Sequence, residues 1–168
     1  MTSQEGAQRP GGHTAIQCLT AIAHHHGVSL PPERLLHEYA LGTEEPSAEL
    51  VVRMAEDHRF KAKIEKIDWA GLMALQGVFP LMARLDNGNW VIIVGARRDG
   101  EQERVAVIDP LAASPEPLLL DFGQFGTRWQ GQILLIKRVF SLTDTEQPFG
   151  LRWFIPEILR QSGAFRDI

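Results

Sequence analysis

The spacing of hydrophobic and polar positions changes its period once along the chain. As far as about residue 57, apolar side chains recur at intervals of three and four, which is typical of helices with one buried face. This spacing predicts three helices, which run from about Thr14 to His26, from Ser29 to Tyr39, and onward from an N-cap at Ser47. Gly27 follows the first helix at a position where a helix commonly stops.

From Phe60 onward apolar and polar residues alternate, which is typical of strands with one buried face. A short helical turn near 69–75 interrupts the alternation, and Asp86-Asn87-Gly88 predicts a tight hairpin turn. The predicted strands cover 60–67, 79–85, 90–96, 103–109, 118–120 and 132–137. Helices that precede an antiparallel sheet predict an α+β fold, with three N-terminal helices packed on five or six antiparallel strands.

The character of the sequence shifts after Lys137, which divides the chain into a domain over 1–140 and a linker-like tail over 141–168. The tail contains the aromatic and apolar segment 149–160, with the residues Trp153-Phe-Ile-Pro156 at its centre. Such a segment is expected to dock on the domain, on a partner or at a membrane interface. It could also hold two copies of the chain together.

Composition narrows the class of protein. The chain has 168 residues, of which 44% are hydrophobic and 23% charged, so one soluble domain with a sound core is expected. A net charge of -4 argues against binding to nucleic acid. Cys18 is the single cysteine, which excludes an internal disulfide and fits a reducing compartment. No segment has the length and apolarity of a membrane span, and the chain carries no phosphate-binding loop.

The six histidines all lie at or before His58, and the strand-rich half has none. A catalytic thiol needs a neighbouring base, and His25 lies about 10 Å along the helix from Cys18, too far for proton transfer. Cys18 is therefore interpreted as a buried structural residue. Consecutive helical side chains fan out and cannot converge on one ion, so His24, His25 and His26 predict no metal site.

Three segments together resemble one family. They are 15–30, which ends in Ala-His-His-His-Gly-Val-Ser-Leu, the hairpin 86–93 with the later Asp109-Pro110, and the aromatic segment 149–160. This combination resembles the C39 peptidase-like domain at the N-terminus of type I secretion ABC transporters of the haemolysin-exporter type. The resemblance implies a papain-like cysteine-protease fold.

The resemblance also implies which positions correspond to a catalytic site. The nucleophile position holds Thr14 instead of cysteine, and the base position holds Trp90, or Asn89 if the register slips by one. The aspartate that orients the base corresponds to Asp109, which alternatively ends a strand and opens a turn. The oxyanion-hole glutamine corresponds to Gln8. Nucleophile and base are thus replaced, so the expected class is degenerate and has no catalytic residues.

The function implied by the resemblance is recruitment of an unfolded repeat-in-toxin type export substrate at the cytoplasmic face of the bacterial inner membrane. Thr14, Asn89, Trp90 and Asp109 would then form the surface that binds the substrate. Trp90 is alternatively a plain core residue. The expected partners are the rest of a homodimeric ABC transporter and a membrane fusion protein. No cofactor is expected in this domain, and ATP and Mg²⁺ belong to an absent nucleotide-binding domain.

Two other functions remain open at this point. One is an active cysteine peptidase that uses Cys18 or Thr14 to cleave double-glycine leader peptides. The other is a plain interaction module, in which the segment 149–159 holds a dimer together.

Overall fold

The structure is a computed structural model that describes residues 13–112, 114 and 116–139. Four helices and six strands follow one another along this part of the chain, and a short 3-10 helix at Gly126–Arg128 precedes the last strand. The helices are α1 (Thr14–His25), α2 (Pro32–Glu38), α3 (Ala48–Asp57) and α4 (Trp69–Ala74). The strands are β1 (Phe60–Lys66), β2 (Leu81–Leu85), β3 (Trp90–Asp99), β4 (Gln102–Ile108), β5 (Leu118–Leu120) and β6 (Trp129–Arg138).

The strands form one antiparallel sheet in the order β1-β6-β2-β3-β4-β5. The last strand therefore lies inside the sheet, where it pairs with β1 on one side and with β2 on the other. The predicted α+β class with helices on an antiparallel sheet is confirmed, and the sheet has six strands. The main differences are at strand ends, since β3 continues to Asp99 and β6 begins already at Trp129.

Local chemistry explains where several elements begin and end. The Ser47 hydroxyl accepts a hydrogen bond from the Leu50 amide and caps α3 as predicted. The Asp68 carboxylate caps α4 in the same way through the Gly71 amide. Gly27 adopts a φ of 79° directly after α1, in the left-handed region that glycine enters without strain.

Two apolar clusters cover the two faces of the sheet. The first contains the buried sides of α1, α2 and α3 together with Trp90, Ile92 and the β6 residues Leu134 and Ile136. The second contains Leu72 of α4, the alternate residues Val91 and Ile93 of β3, and the aromatic pair Phe125 and Trp129. Because strand side chains alternate between faces, this division fixes which β3 residues face α1.

Candidate functional site

The start of α1 holds Thr14, the residue at the position that the resemblance assigns to the nucleophile. Thr14 is the first residue of α1 and is 1% exposed. His13 precedes it as the N-cap residue, but its side chain makes no capping hydrogen bond. The helix therefore needs another group to accept hydrogen bonds from its first free amides.

The Glu45 carboxylate supplies that acceptor from the loop between α2 and α3. Its Oε1 atom accepts a 2.5 Å hydrogen bond from the Thr14 amide, and Oε2 accepts one of 3.1 Å from the Ala15 amide. The Thr14 hydroxyl also donates to Oε1 of Glu45. One carboxylate thus binds three donors at the positive end of a helix, where negative charge is stabilised.

The Thr14 hydroxyl also connects α1 to the sheet. Its oxygen accepts a 2.8 Å hydrogen bond from the backbone amide of Trp90, the first residue of β3. Residues 76 positions apart in the sequence are thereby brought into direct contact. The positions that the resemblance assigns to the nucleophile and the base are thus adjacent in the structure.

The alternation of β3 favours Trp90 over Asn89 as the residue that faces α1. Trp90 and Ile92 belong to the cluster on the helical face, whereas Val91 belongs to the cluster on the opposite face. Asn89 lies before the strand and its backbone amide donates to the Asn87 side chain within the hairpin turn. A side chain aimed at Thr14 from β3 therefore comes from position 90.

Trp90 is fully buried, with 0% of its surface exposed. Its ring packs in the helical-face cluster, and the Arg84 guanidinium lies 5.7 Å from the ring centroid. A ring that forms the wall of a binding groove needs an exposed face, which this ring lacks. The burial of the ring favours the core alternative for Trp90, and its role in binding a substrate stays a prediction.

Asp109 directly follows β4 and forms a turn. Its Oδ1 atom accepts a 2.9 Å hydrogen bond from the Leu111 amide, and its backbone oxygen accepts one from Ala112. β4 pairs with β3 through Ile108 and Ile92, which places Asp109 at the Trp90 end of the sheet. Asp109 therefore follows the end of a strand and opens a turn, and its place in a substrate-binding surface stays a prediction.

Cys18 lies one helical turn after Thr14 and is 0% exposed. Burial raises the pKa of its thiol well above the usual value, and the nearby carboxylates of Glu45 and Asp109 raise this pKa further. A catalytic cysteine requires the opposite, a thiolate stabilised by positive charge. The interpretation of Cys18 as a buried structural residue agrees with this environment.

The other histidines lie far from the start of α1 or at other helix ends. His24, His25 and His26 are at the C-terminal end of α1, and ten residues of helix separate His24 from Thr14, a distance of about 15 Å at the helical rise. His37 is in the last turn of α2, and His58 is the C-cap of α3. Within the described ranges no group of three or more histidine, cysteine or acidic side chains could hold a metal ion.

Gln8 and residues 141–168 lie outside the described residues, so their predicted roles stay predictions. Among the described helices none is long and apolar enough to cross a membrane.

No pattern in the sequence predicts the role of Glu45, whose carboxylate accepts hydrogen bonds from the amide and the hydroxyl of Thr14. The only local signal is a pair of acidic residues before Pro46, which is also common in solvent-exposed loops. The contact joins residues 31 positions apart, and no period or spacing in the sequence encodes it.

A second surface lies on the opposite side of the sheet. An open cavity of about 690 Å³ is lined by the aromatic residues Trp69, Phe122 and Trp129, together with Ile67, three glycines and the polar or charged residues Lys66, Asp68 and Gln130. The Trp69 and Phe122 rings meet edge to face at 5.4 Å, and Phe122 is 52% exposed. A cavity of this size and lining is typical of sites that bind apolar groups.

The two surfaces differ in what they offer chemically. At the start of α1 a hydroxyl is held by a carboxylate and an amide, and the described contacts of Thr14 include no imidazole. The aromatic cavity offers apolar contact area from its three aromatic side chains. The first surface is a closed polar site, and the second is an open apolar one.

Comparison with curated proteins finds relatives that export toxins. The leukotoxin translocation ATP-binding protein LktB of Mannheimia haemolytica is 27% identical over 152 residues, which is 90% of this chain and 21% of LktB. The leukotoxin export ATP-binding protein LtxB of Aggregatibacter actinomycetemcomitans is 24% identical over 153 residues, which is 90% of this chain and 20% of LtxB. The chain thus spans about a fifth of the length of these relatives.

Solved structures with the same fold belong to related domains. The N-terminal peptidase C39 like domain of the toxin secretion ATP-binding protein from Vibrio parahaemolyticus matches with a TM-score of 0.63 at 17% identity, over 79% of this chain and 99% of that domain. The peptidase domain of Streptococcus ComA matches with a TM-score of 0.65 at 16% identity, over 78% of this chain and 95% of that domain. At these identities the likeness shows the fold, which is papain-like as expected.

The model of the peptidase C39 family matches residues 7–141, which is most of the chain. This match covers both apolar clusters, the start of α1 and all six strands. The chain therefore belongs to the peptidase C39 family.

Proposed function

We propose that this chain is a non-catalytic C39 domain of a type I secretion ABC transporter, and that it recruits an unfolded export substrate. The main support for a loss of catalysis is the set of hydrogen bonds that the Thr14 hydroxyl makes. This hydroxyl donates to the Glu45 carboxylate and accepts from the Trp90 amide, so the described residues at the nucleophile position form a satisfied hydrogen-bond network.

The chemistry of this network opposes acyl transfer. Threonine attacks a carbonyl only when a base withdraws its proton while an oxygen lone pair points to the substrate. Here the Trp90 amide binds the hydroxyl oxygen. The Glu45 carboxylate accepts the hydroxyl hydrogen, but it also occupies the helix amides that would stabilise an oxyanion, so the arrangement has no free oxyanion site. The side chain at position 90 is an indole, which cannot act as a base.

The export role is supported by the names of the relatives, which are toxin exporters that bind ATP. An unfolded chain presents apolar side chains, and it binds best to exposed aromatic and aliphatic surface. The exposed large apolar residues Leu118, Leu119 and Phe122 lie on or next to the edge strand β5, and Phe122 also lines the aromatic cavity. Binding at this surface requires no opening of the buried Trp90.

The proposed recruitment is tested by titrating the chain with a repeat-in-toxin protein in its unfolded and folded forms. We expect binding only to the unfolded form, with a Kd in the micromolar range or weaker, because ordering an unfolded segment opposes association. Phe122→Ser should weaken binding severalfold. Leu111→Ser is the matched control, since Leu111 is also 52% exposed but does not line the cavity. Binding to the folded form alone would contradict the proposal.

Membership of a peptidase family favours one alternative, an active peptidase that cleaves double-glycine leader peptides. One solved relative is a double glycine motif protease from an AMS/PCAT transporter in complex with the leader peptide. Incubation of this chain with such peptides should give no cleavage. Cleavage that disappears in Cys18→Ala or Thr14→Ala would show that the alternative is correct.

The wider setting is part of the same proposal. Since the aligned part of this chain spans only 20–21% of these relatives, ATP and Mg²⁺ would bind in a separate nucleotide-binding domain. The domain would lie at the cytoplasmic face of the inner membrane, within a homodimeric transporter that works with a membrane fusion protein.

A further inference from the structure

The two edges of the sheet differ in charge. In the part of the chain that the structure describes, β1 and β5 are the outer strands. Of the seven residues of β1 four carry charge, and they are Lys61, Lys63, Glu65 and Lys66. β5 consists of the three leucines Leu118–Leu120. Charged side chains, lysine above all, keep an edge strand from pairing with another chain, and β5 lacks this protection.

One leucine anchors β5 to the domain, and the other two are exposed. The strand pairs with β4, where Leu120 lies opposite Val105 and packs against the second apolar cluster. Leu118 is 55% exposed and Leu119 is 40% exposed. On its outer side β5 has no partner strand among the described residues, so this side offers peptide groups to an added strand.

Most of the large exposed apolar side chains lie at the same edge. The described ranges contain five, and four of them are on β5 or in the segments that adjoin it, namely Leu111, Leu118, Leu119 and Phe122. The last three expose surface on the order of 300 Å², which is less than half of the roughly 800 Å² that each partner buries in a standard interface. The edge therefore suits a weak contact.

A second copy of β5 fits this edge without opposing like charges. In an antiparallel pair centred on Leu119, this residue lies opposite its equivalent in the second copy. The nearest charged residues along the chain are Glu116 and Asp121. In this register Glu116 lies opposite Phe122 of the second copy, and Asp121 lies opposite Pro117 of the second copy. Like charges directly opposite each other destabilise paired strands, so this register is favourable.

We propose that β5 is a self-association edge, at which two copies of this chain pair antiparallel about Leu119 and join their sheets. The contact is isologous, since each copy uses the same surface. Because the apolar area is small, we expect a Kd on the order of 0.1–1 mM. The pairing does not depend on the proposed recruitment, although both use the surface around β5 and therefore exclude each other.

Sedimentation equilibrium of the full chain without substrate tests the proposal. Between about 10 µM and about 1 mM the average mass should rise from that of one chain toward that of two. Leu119→Lys should abolish this rise, because two like charges would lie opposite each other. Val139→Lys is the matched control, since Val139 is 38% exposed and its amide binds Arg59 beside the other edge strand. It should associate like the unmodified chain.

A mixture of two variants tests the register. Leu119→Glu should also be monomeric, whereas an equimolar mixture of Leu119→Lys and Leu119→Glu should form a dimer, because opposite charges then face each other. If these variants do not fold, hydrogen exchange of the β5 amides in the unmodified chain carries the test. These amides should exchange about twofold more slowly at about 1 mM than at about 50 µM.

Four results would overturn the proposal. They are a chain that stays monomeric up to about 1 mM, exchange of the β5 amides that ignores concentration, association that survives Leu119→Lys, and a mixture of the two variants that stays monomeric. Association that survives Leu119→Lys would place the contact elsewhere, for example in the segment 149–159. A monomeric chain whose binding to an unfolded protein is weakened by Leu119→Lys would assign the edge to the substrate alone.

Discussion

At the scale of single residues, Thr14 shows how the first turn of α1 is held against the sheet. Its side chain is buried, and it satisfies both a carboxylate and a backbone amide. The residue has therefore become part of the packing between α1 and β3. A substitution here should act on stability, which distinguishes a structural residue from a nucleophile.

Thr14→Val should lower the free energy of unfolding by about 1–3 kcal/mol, because the Trp90 amide loses its acceptor while its shape-matched surroundings remain. Urea denaturation followed by fluorescence measures this change. Thr43→Val is the matched control at an exposed position and should have little effect. Equal stability of the two variants would show that the Thr14 contacts contribute nothing.

Cys18 should react slowly with thiol reagents. Burial raises its pKa, the carboxylates of Glu45 and Asp109 raise it further, and its surface is 0% exposed. We expect maleimide labelling at pH 8 to be at least about tenfold slower in the folded chain than in urea. Rapid labelling of the folded chain, with its unfolding transition unchanged, would contradict the structural interpretation of Cys18.

Some residues of the candidate site could be predicted from the sequence, but their hydrogen bonds and their burial could not. The resemblance to the C39 peptidase-like domain implied the positions of Thr14 and Trp90, and in the structure the Trp90 amide donates a hydrogen bond to the Thr14 hydroxyl. The burial of Trp90 could not be decided, because a tryptophan at a strand start fits a core and a groove equally well. Glu45 was missed because its contact to Thr14 closes a loop of 31 residues, and only the folded chain shows such a contact.

At the scale of the elements, two glycines with the same backbone conformation are under different constraints. Gly131 in β6 has a φ of 94°, and a Cβ atom there would lie 2.5 Å from the backbone oxygen of Ile67. Gly88 in the hairpin has a φ of 90°, with nothing within 4 Å of the same position. Only Gly131 combines a left-handed conformation with close contact to a neighbouring segment.

Gly131→Ala should therefore be more destabilising than Gly88→Ala. In Gly88→Ala the free energy of unfolding should fall by about 1–2 kcal/mol, because alanine is strained in the left-handed conformation. In Gly131→Ala the free energy of unfolding should fall by about 1–3 kcal/mol more than in Gly88→Ala, because the Ile67 backbone must move. Thermal or urea unfolding of both variants measures the difference, and an equal loss would show that the approach to Ile67 is not tight.

The C-terminal end of α1 should make stability dependent on pH. Burial lowers the pKa of His26 to about 4, assisted by the neighbouring His25 and Arg138, and burial also lowers the pKa of His25. The unfolded chain takes up a proton near the ordinary value of 6.5, whereas the folded chain does not. The free energy of unfolding should thus fall as the pH falls from about 6.5 toward 4.

Urea unfolding at a series of pH values measures this slope, and His26→Gln should make it shallower because the substituted side chain does not titrate. An unchanged slope in that variant would show that other groups cause the dependence.

The elements themselves were largely predictable, and the errors have local causes. The periods of three to four and of two gave the helices and strands, and Ser47 marked the start of α3. The predicted end of β3 was too early, because the charges of Arg97 and Arg98 suggested a turn whereas the strand continues through both residues. These side chains pair with Asp99 and Glu103, so they fit on an exposed strand.

At the scale of the whole molecule, both apolar clusters and every described strand pair lie between residues 13 and 139. The predicted boundary at residue 140 leads to a direct test. A chain that ends after residue 140 should unfold with a free energy within about 0.5 kcal/mol of the full chain, because no described core residue is removed. A much larger loss would place part of the core in the tail.

The position of β6 has a consequence for how the chain is made. Among the described strands β1 pairs only with β6, and β6 also supplies Leu134 and Ile136 to the cluster beneath α1. During synthesis the helices and first five strands leave the ribosome before the strand that joins β1 to the others. We expect the nascent domain to stay incompletely folded until residue 138 has emerged, and to be a chaperone client for most of its translation.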